Sequence, residues 1–523
     1  MTTTTTTFSL GQDFLSVPIA LEIAAGRRPL TLTEETRRRV ADCRRVVEKI
    51  AGGDAAVYGI NTGFGPLCTT QVSAAQTEIL QLNLLRSHAV GLGSPVERQI
   101  AKLMLVLKAH ALAQGFSGIR TETLERIIHL IEADVVPVVP TQGSVGASGD
   151  LAPLSHLFLP LIGEGEVEWR GETLAAADYL REVDLPPLRL GAKEGLALIN
   201  GTQFIAAHAV MVCATLQRVL LHADLAAAMM VDGLLGSLSP FEQRLHELRP
   251  YNGAIDAAAN VRVLLTGSEI SVSHADCGRV QDPYSLRCVP QVHGASREAY
   301  AHLRTATETE LNSVTDNPIV FPDGTTISGG NFHGQLPALP LDYACLAAAE
   351  IGNISDRRTY LSLLGQTPGV PKLLVNGTGL NSGLMIPQYT GAALVSENKT
   401  LCFPASADSI PTSLGQEDHV SMGAFGGRKA LRVVRNVEQV LAIELFCAVQ
   451  ALDFHAPLRS GPLVEAVRRR IREDIPRVTE DRLFQPDLNA AVRLVREGTL
   501  LKTVREADTD ENLPAEWRNV PLP

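Results

Sequence analysis

The sequence predicts a mainly α protein in which long helices pack as a bundle, and three observations carry that prediction. Apolar residues recur at helical spacing over long stretches, and strand-like alternation is scarce. The apolar content also comes from small aliphatic side chains: of 523 residues 45% are hydrophobic but only 5% aromatic, a composition that lets helices pack closely on helices. The length exceeds the ~250–300 residues at which one core stops growing, so two or more packed units are expected.

Met1 and six threonines open the chain, followed by Phe8-Ser9-Leu10-Gly11, without the basic segment and apolar run of a secretory signal; they read as a loose tail. Ser94-Pro95-Val96-Glu97 reads as a capping box, with Ser94 as N-cap, Pro95 at the first helical position and Glu97 at the third. The face Ile100, Leu103, Met104, Leu107, Ala111 then continues to a stop at Gly115. Thr121 opens a second helix, with Leu124, Ile127, Ile128 and Ile131 on one side, closed before Pro137. Val167-Glu168-Trp169 and Ile319-Val320-Phe321, each followed within a few residues by glycine, read as small hairpin pieces.

Long Ala/Leu-rich helices are predicted near 203–237, 296–315, 337–363, 386–402 and 419–453. The apolar run from about 196 to 238 is interrupted by Asn200, Gln203, His208, Arg218, His222, Asp224 and Asp232, so it reads as a buried core helix and not as a membrane span. The texture changes near residue 200, from short elements with glycine-rich loops to long helices. This suggests a smaller N-terminal domain over 1–200 and a long-helix bundle over 201–523 with a C-terminal helical extension. The last residues, 508–523, are polar and proline-bounded, and are expected to lie on the surface or fray.

A formal net charge of −11 provides no basic footprint for nucleic acid or an anionic membrane, and Arg468-Arg469-Arg470 is a short, locally offset run on a solvated helix face. The eight cysteines, at 43, 68, 213, 277, 288, 345, 402 and 447, form no CxxC pair, which suits reduced thiols in the cytoplasm. His274-x-x-Cys277 is a weak hint of a metal ligand, and no metal is expected.

Chemistry concentrates in Gly143-Ser144-Val145-Gly146-Ala147-Ser148-Gly149-Asp150-Leu151-Ala152-Pro153-Leu154. Taken locally it is a loop capping a helix, with Ser148 or Asp150 as N-cap and Pro153 in the first turn. Its glycines follow GxxGxxG and lack a βαβ context, which argues against dinucleotide binding. The whole string resembles the signature of the aromatic amino acid ammonia-lyase and aminomutase family, in which an Ala-Ser-Gly tripeptide cyclises to a methylidene-imidazolone. The resemblance implies that Ala147-Ser148-Gly149 form 4-methylideneimidazole-5-one, with no external cofactor. Attack of the Gly149 nitrogen on the Ala147 carbonyl needs a tight bend and an unhindered backbone, which glycine permits.

The resemblance runs in islands over about 15–505, and it implies a bundle of the fumarase/aspartase-like type. Tyr58, in Tyr58-Gly59-Ile60-Asn61-Thr62-Gly63-Phe64-Gly65, is similar to the family's tyrosine base. Ser87-His88 resembles the pair that grips the substrate ring, and His88 would contact an imidazole. Asn200 matches the family asparagine near the amine and the prosthetic group. Gln281, Tyr284 and Arg287 match further site residues, with Tyr284 among the catalytic groups and Arg287 suited to hold a carboxylate through a bidentate fork. Phe332, in Gly329-Gly330-Asn331-Phe332-His333-Gly334, is similar to the phenylalanine beside the electrophile.

Glu417, in Gln416-Glu417-Asp418-His419, stands where family members acting on tyrosine or phenylalanine tend to have a neutral residue. A carboxylate there suits an imidazole substrate, since it can accept the ring N–H or take part in proton transfer. The implied reaction is elimination of ammonia from L-histidine to give trans-urocanate, the first step of histidine degradation, at sites shared between subunits of a homotetramer. The alternative is a tyrosine or phenylalanine lyase or aminomutase. One departure is Leu373, where the family favours an aromatic residue.

Overall fold

The computed structural model describes residues 6–53, 55–65, 72, 74–276 and 278–522. Helix makes up 59% of the structure and strand 6%, so the mainly α expectation is borne out. The predicted long segments are the helices Gln203–Gly233, Val289–Leu311, Gln335–Ser362, Met385–Leu401 and Gly423–Asp453. Cys68 and Cys277, and with Cys277 the metal hint, lie outside the described residues, as does most of the threonine tail.

The chain forms two compact units. The first comprises the chain up to Met211 together with Leu303–Asp342 and Pro404–Arg428; the second comprises Val212–His302, Tyr343–Phe403 and the chain from Lys429. This differs from a single division at residue 200. The reason is helix length: Gln203–Gly233 has 31 residues, Gln335–Ser362 has 28 and Gly423–Asp453 has 31, and each has residues in both units. At ~1.5 Å rise per residue such helices run over ~40 Å, longer than one small domain is wide.

In the first unit the helix Thr121–Glu132 matches its prediction, and Glu166–Trp169 pairs antiparallel with Glu172–Ala175. Arg170 and Gly171 make that turn, both at positive φ (51° and 84°), as a tight two-residue hairpin demands. Ile319–Val320 pairs with Thr326–Ile327 as a second small hairpin. The capping box at Ser94 does not form. Leu92–Pro95 is a strand paired with Pro140–Gln142, and the helix begins at Arg98 after Glu97, whose side chain makes no cap bond. The Val96 N–H donates to the Val139 carbonyl at 2.8 Å, so pairing with a distant segment keeps this stretch extended.

In the second unit the helix Gly423–Asp453 buries Val433, Val437, Leu441 and Phe446, and its Glu444 holds the buried Arg358 through a contact of 2.9 Å. Arg468 and Arg470 are offset by Asp453 and Asp474, as the sequence suggested. The end of the chain does not fray: Leu513, Trp517 and Val520 are buried, and Trp517 is 0% exposed. Arg505 donates to the main-chain carbonyls of Trp517 and Val520, and Glu516 meets Arg297 at 3.2 Å. A single large indole outweighs the polar composition around it. The helix Gln203–Gly233 is long and apolar enough to cross a membrane, but 89% of its most apolar window is buried inside the protein, as a core helix requires.

Candidate active site

A cavity of about 1330 Å³ in the first unit is lined by Tyr58, His88, Ala147, Ser148, Asn200, Phe332 and Glu417. Residues far apart in sequence thus meet around one tripeptide.

The loop carrying that tripeptide runs from the strand Pro140–Gln142 to the helix Leu151–Phe158. It is held from two sides. On one, the Asp150 N–H donates to the Gly201 carbonyl at 2.7 Å; on the other, the Ser421 hydroxyl donates to the Gly146 carbonyl at 3.1 Å and the Met422 N–H to Val145 at 2.9 Å. Gly149 has φ 71°, and a Cβ there would come within 2.1 Å of the Gly201 carbonyl oxygen, so only glycine fits. Asp150 is the N-cap residue by position, but its carboxyl accepts from the Ile205 N–H at 3.0 Å and the Ser144 hydroxyl at 2.8 Å instead of capping its own helix. Burial pushes this carboxyl up to about 7 against those hydrogen bonds.

Asn200 follows the helix Glu194–Ile199, and its side-chain amide donates to the Ser148 carbonyl at 2.6 Å. Its Oδ1 is buried without a partner. Glu417 is placed by a short bridge to Thr412, whose N–H donates to the Glu417 carbonyl at 2.9 Å. The Glu417 carboxylate accepts from the Thr412 hydroxyl at 2.8 Å, the Ser413 hydroxyl at 2.9 Å and the Ser148 hydroxyl. Burial favours its neutral form, but the hydroxyl donors outweigh burial and hold its pKa below the usual value.

His88 ends the helix Ala74–His88, with Nδ1 3.0 Å from the Ser87 hydroxyl. Burial lowers its pKa despite the Leu84 carbonyl and Glu417, so the ring is neutral at neutral pH. Tyr58 lies in the turn before Gly65, whose N–H donates to the Tyr58 hydroxyl at 3.3 Å.

Gln281, Tyr284 and Arg287 belong to the second unit and are not among the cavity's lining residues. The helical turn expected for them is present as Tyr284–Arg287, with the Arg287 guanidinium 4.7 Å from the Tyr284 ring centre. Arg287 donates to the Gln281 side chain and the Asp282 carbonyl, each at 3.0 Å. Leu373 also stands in the second unit, at φ 59° in a left-handed turn.

Sequence reasoning missed His333 and His419, which line the cavity with rings stacked 5.9 Å apart and 3° from parallel. Each lies within a quoted motif, one next to Phe332 and one two residues after Glu417. That adjacency was the available signal.

The chain matches the family described as aromatic amino acid lyase over residues 15–473. It is 50% identical over 486 residues to a histidine ammonia-lyase of Deinococcus radiodurans, covering 92% of this chain and 93% of that protein. Among solved structures it is similar to histidine ammonia-lyase from Trypanosoma cruzi, with TM-score 0.89 and 41% identity over 98% of this chain and 97% of that one. It also resembles a tyrosine aminomutase from Streptomyces globisporus, with TM-score 0.92 and 33% identity over 97% and 100%. A match of this extent, in a fold that brings Tyr58, His88, Asn200, Phe332 and Glu417 around one Ala-Ser-Gly loop, makes the chain a member of the aromatic amino acid lyase family.

Proposed function

We propose that this chain eliminates ammonia from L-histidine to give trans-urocanate, and that Ala147-Ser148-Gly149 mature into 4-methylideneimidazole-5-one. The observation that carries the choice of substrate is the Glu417 carboxylate, seated in the cavity on the Ser148 hydroxyl. The relatives named histidine ammonia-lyase support the same choice.

The tripeptide suits the group: Gly149 is bent at φ 71°, the Ser148 carbonyl is already gripped by Asn200, and the Asn200 Oδ1 remains available as an acceptor. In maturation the Gly149 nitrogen bonds to the Ala147 carbonyl carbon. The Ala147 oxygen leaves as water with the amide hydrogens of Gly149 and Ser148, and the Ser148 hydroxyl leaves as a second water with its own α-hydrogen. No oxidant or reductant is needed. The matured group supplies an electron-poor carbon that no ordinary side chain offers.

The remaining work falls to the chain's own residues. Tyr58 is the base for the β-proton, with its oxygen held by the Gly65 N–H. Glu417 accepts the imidazole N–H and is a second candidate base, while neutral His88 and Phe332 bound the ring. Arg287 has only neutral oxygen partners among the described residues, so its charge remains available for a substrate carboxylate. We place Gln281, Tyr284 and Arg287 at the site of a neighbouring subunit in a homotetramer. Cysteines scattered without a CxxC pair support a cytoplasmic setting.

The test is to incubate purified protein separately with L-histidine, L-tyrosine and L-phenylalanine and to follow the ultraviolet absorbance of each conjugated acid. Absorbance from histidine is expected. Absorbance from tyrosine or phenylalanine alone would transfer the assignment to that substrate.

A further inference from the structure

Lys108 is 1% exposed in the helix Arg98–Ala113, and no step above uses it. An ammonium taken out of water needs strong partners or loses its proton. This one donates to the main-chain carbonyl of Asn200 at 2.6 Å. Burial pulls its pKa down to about 7, against the attraction of Asp316 and Asp150 and with the repulsion of Lys193. The neighbouring Lys193 is equally buried but differently held: it pairs with Asp316 at 2.8 Å and donates to the Ser117 carbonyl at 2.8 Å. One buried cation therefore has a carboxylate partner, whereas the other has a peptide carbonyl.

That carbonyl belongs to the residue whose side chain holds Ser148 at 2.6 Å, and the next carbonyl, at Gly201, receives the Asp150 N–H at 2.7 Å. Contacts thus run without a break from the buried ammonium to both flanks of the Ser148-Gly149 bond. We propose that Lys108 is a positioning residue for maturation: by gripping the Asn200 carbonyl it keeps the Asn200 amide on Ser148 and the tripeptide in the bend from which it closes. This rests on the cyclisation proposed above.

The test uses the full-length chain and the variants Lys108→Met, Lys108→Arg and Lys193→Met. Met removes the donor and the charge, while Arg keeps a cationic donor in nearly the same volume. The readouts are the mass of the fragment containing residues 147–149, for loss of two waters, and the near-ultraviolet band of the conjugated ring. Lys108→Met should mature at least about tenfold more slowly, the effect of leaving one buried carbonyl unsatisfied. Lys108→Arg should recover most of the band. Lys193→Met should mature like the parent even if its thermal midpoint falls.

Dehydration of Lys108→Met at the parent rate, or equal slowing in Lys193→Met, would overturn the proposal. A folded Lys108→Arg without the band would also overturn it, and this covers the case in which Lys108→Met does not stay soluble. An unmodified parent chain would instead remove the cyclisation reading itself.

Discussion

Replacing Glu417 by Gln keeps the shape of the side chain and removes its charge. In the structure that charge is stabilised by the hydroxyls of Ser148, Thr412 and Ser413, and the group is about half-buried. A carboxylate ~4 Å from developing positive charge on an imidazole gains ~4 kcal/mol at the effective dielectric of a protein surface. Discounting for the open cavity leaves ~3 kcal/mol, or about a hundred-fold in kcat/KM at ~1.4 kcal/mol per decade.

The assay is kcat/KM for L-histidine from the appearance of urocanate absorbance, on protein whose dehydration at Ser148 has been verified by mass. L-phenylalanine, which carries no ring N–H, serves as the control. Before maturation the hydroxyls of Ser148, Thr412 and Ser413 hold the Glu417 pKa below its usual value against burial; maturation expels the Ser148 hydroxyl and leaves the carboxylate its Thr412 and Ser413 donors. A loss under about threefold for histidine in fully matured Glu417→Gln would refute the reasoning, since it leaves less than ~1 kcal/mol to the charge.

Four further outcomes are expected. Ser148→Ala has no hydroxyl to expel, so its intact mass should match the encoded chain and turnover should vanish; turnover at the parent rate would end the mechanism. Gly149→Ala places a Cβ 2.1 Å from the Gly201 carbonyl oxygen, beyond the ~1–2 kcal/mol intrinsic strain of a left-handed alanine. It should lack the near-ultraviolet band, and a full band would show that the bend is not required.

Asp150 is raised to about 7 in the folded chain, against ~3.9 for the unfolded group. Its contribution to stability is therefore complete below ~3.9 and lost as pH rises toward 7. The thermal midpoint of Asp150→Asn minus that of the parent should climb across that window and then level off, and a difference independent of pH would contradict the assignment. Trp517→Ala should lose ~3–5 kcal/mol locally and open the C-terminal segment to limited proteolysis. Unchanged cleavage kinetics would show that the indole does not anchor it.

Patterns that depend on neighbours along the chain were legible without the fold. The helical periodicity at 121–132 and through the long segments, the hairpin at Arg170-Gly171, and the Gly143–Leu154 string could all be read because each is a local pattern. Chemistry confined to one loop, such as the Ala147-Ser148-Gly149 tripeptide, was legible in the same way.

Where distant groups meet depends on how the segments pack. Pairing with Pro140–Gln142 turned the capping signal at Ser94 into a strand, because interstrand hydrogen bonds outweighed a local cap. Burial of Trp517 docked a tail whose composition suggested solvent. Folding also joined Lys108 to Asn200 across 92 residues of chain and stacked His333 on His419. A one-dimensional pattern records which side chains each segment can bury or ionise; which partner meets each of them in the low-dielectric interior is settled when the segments pack.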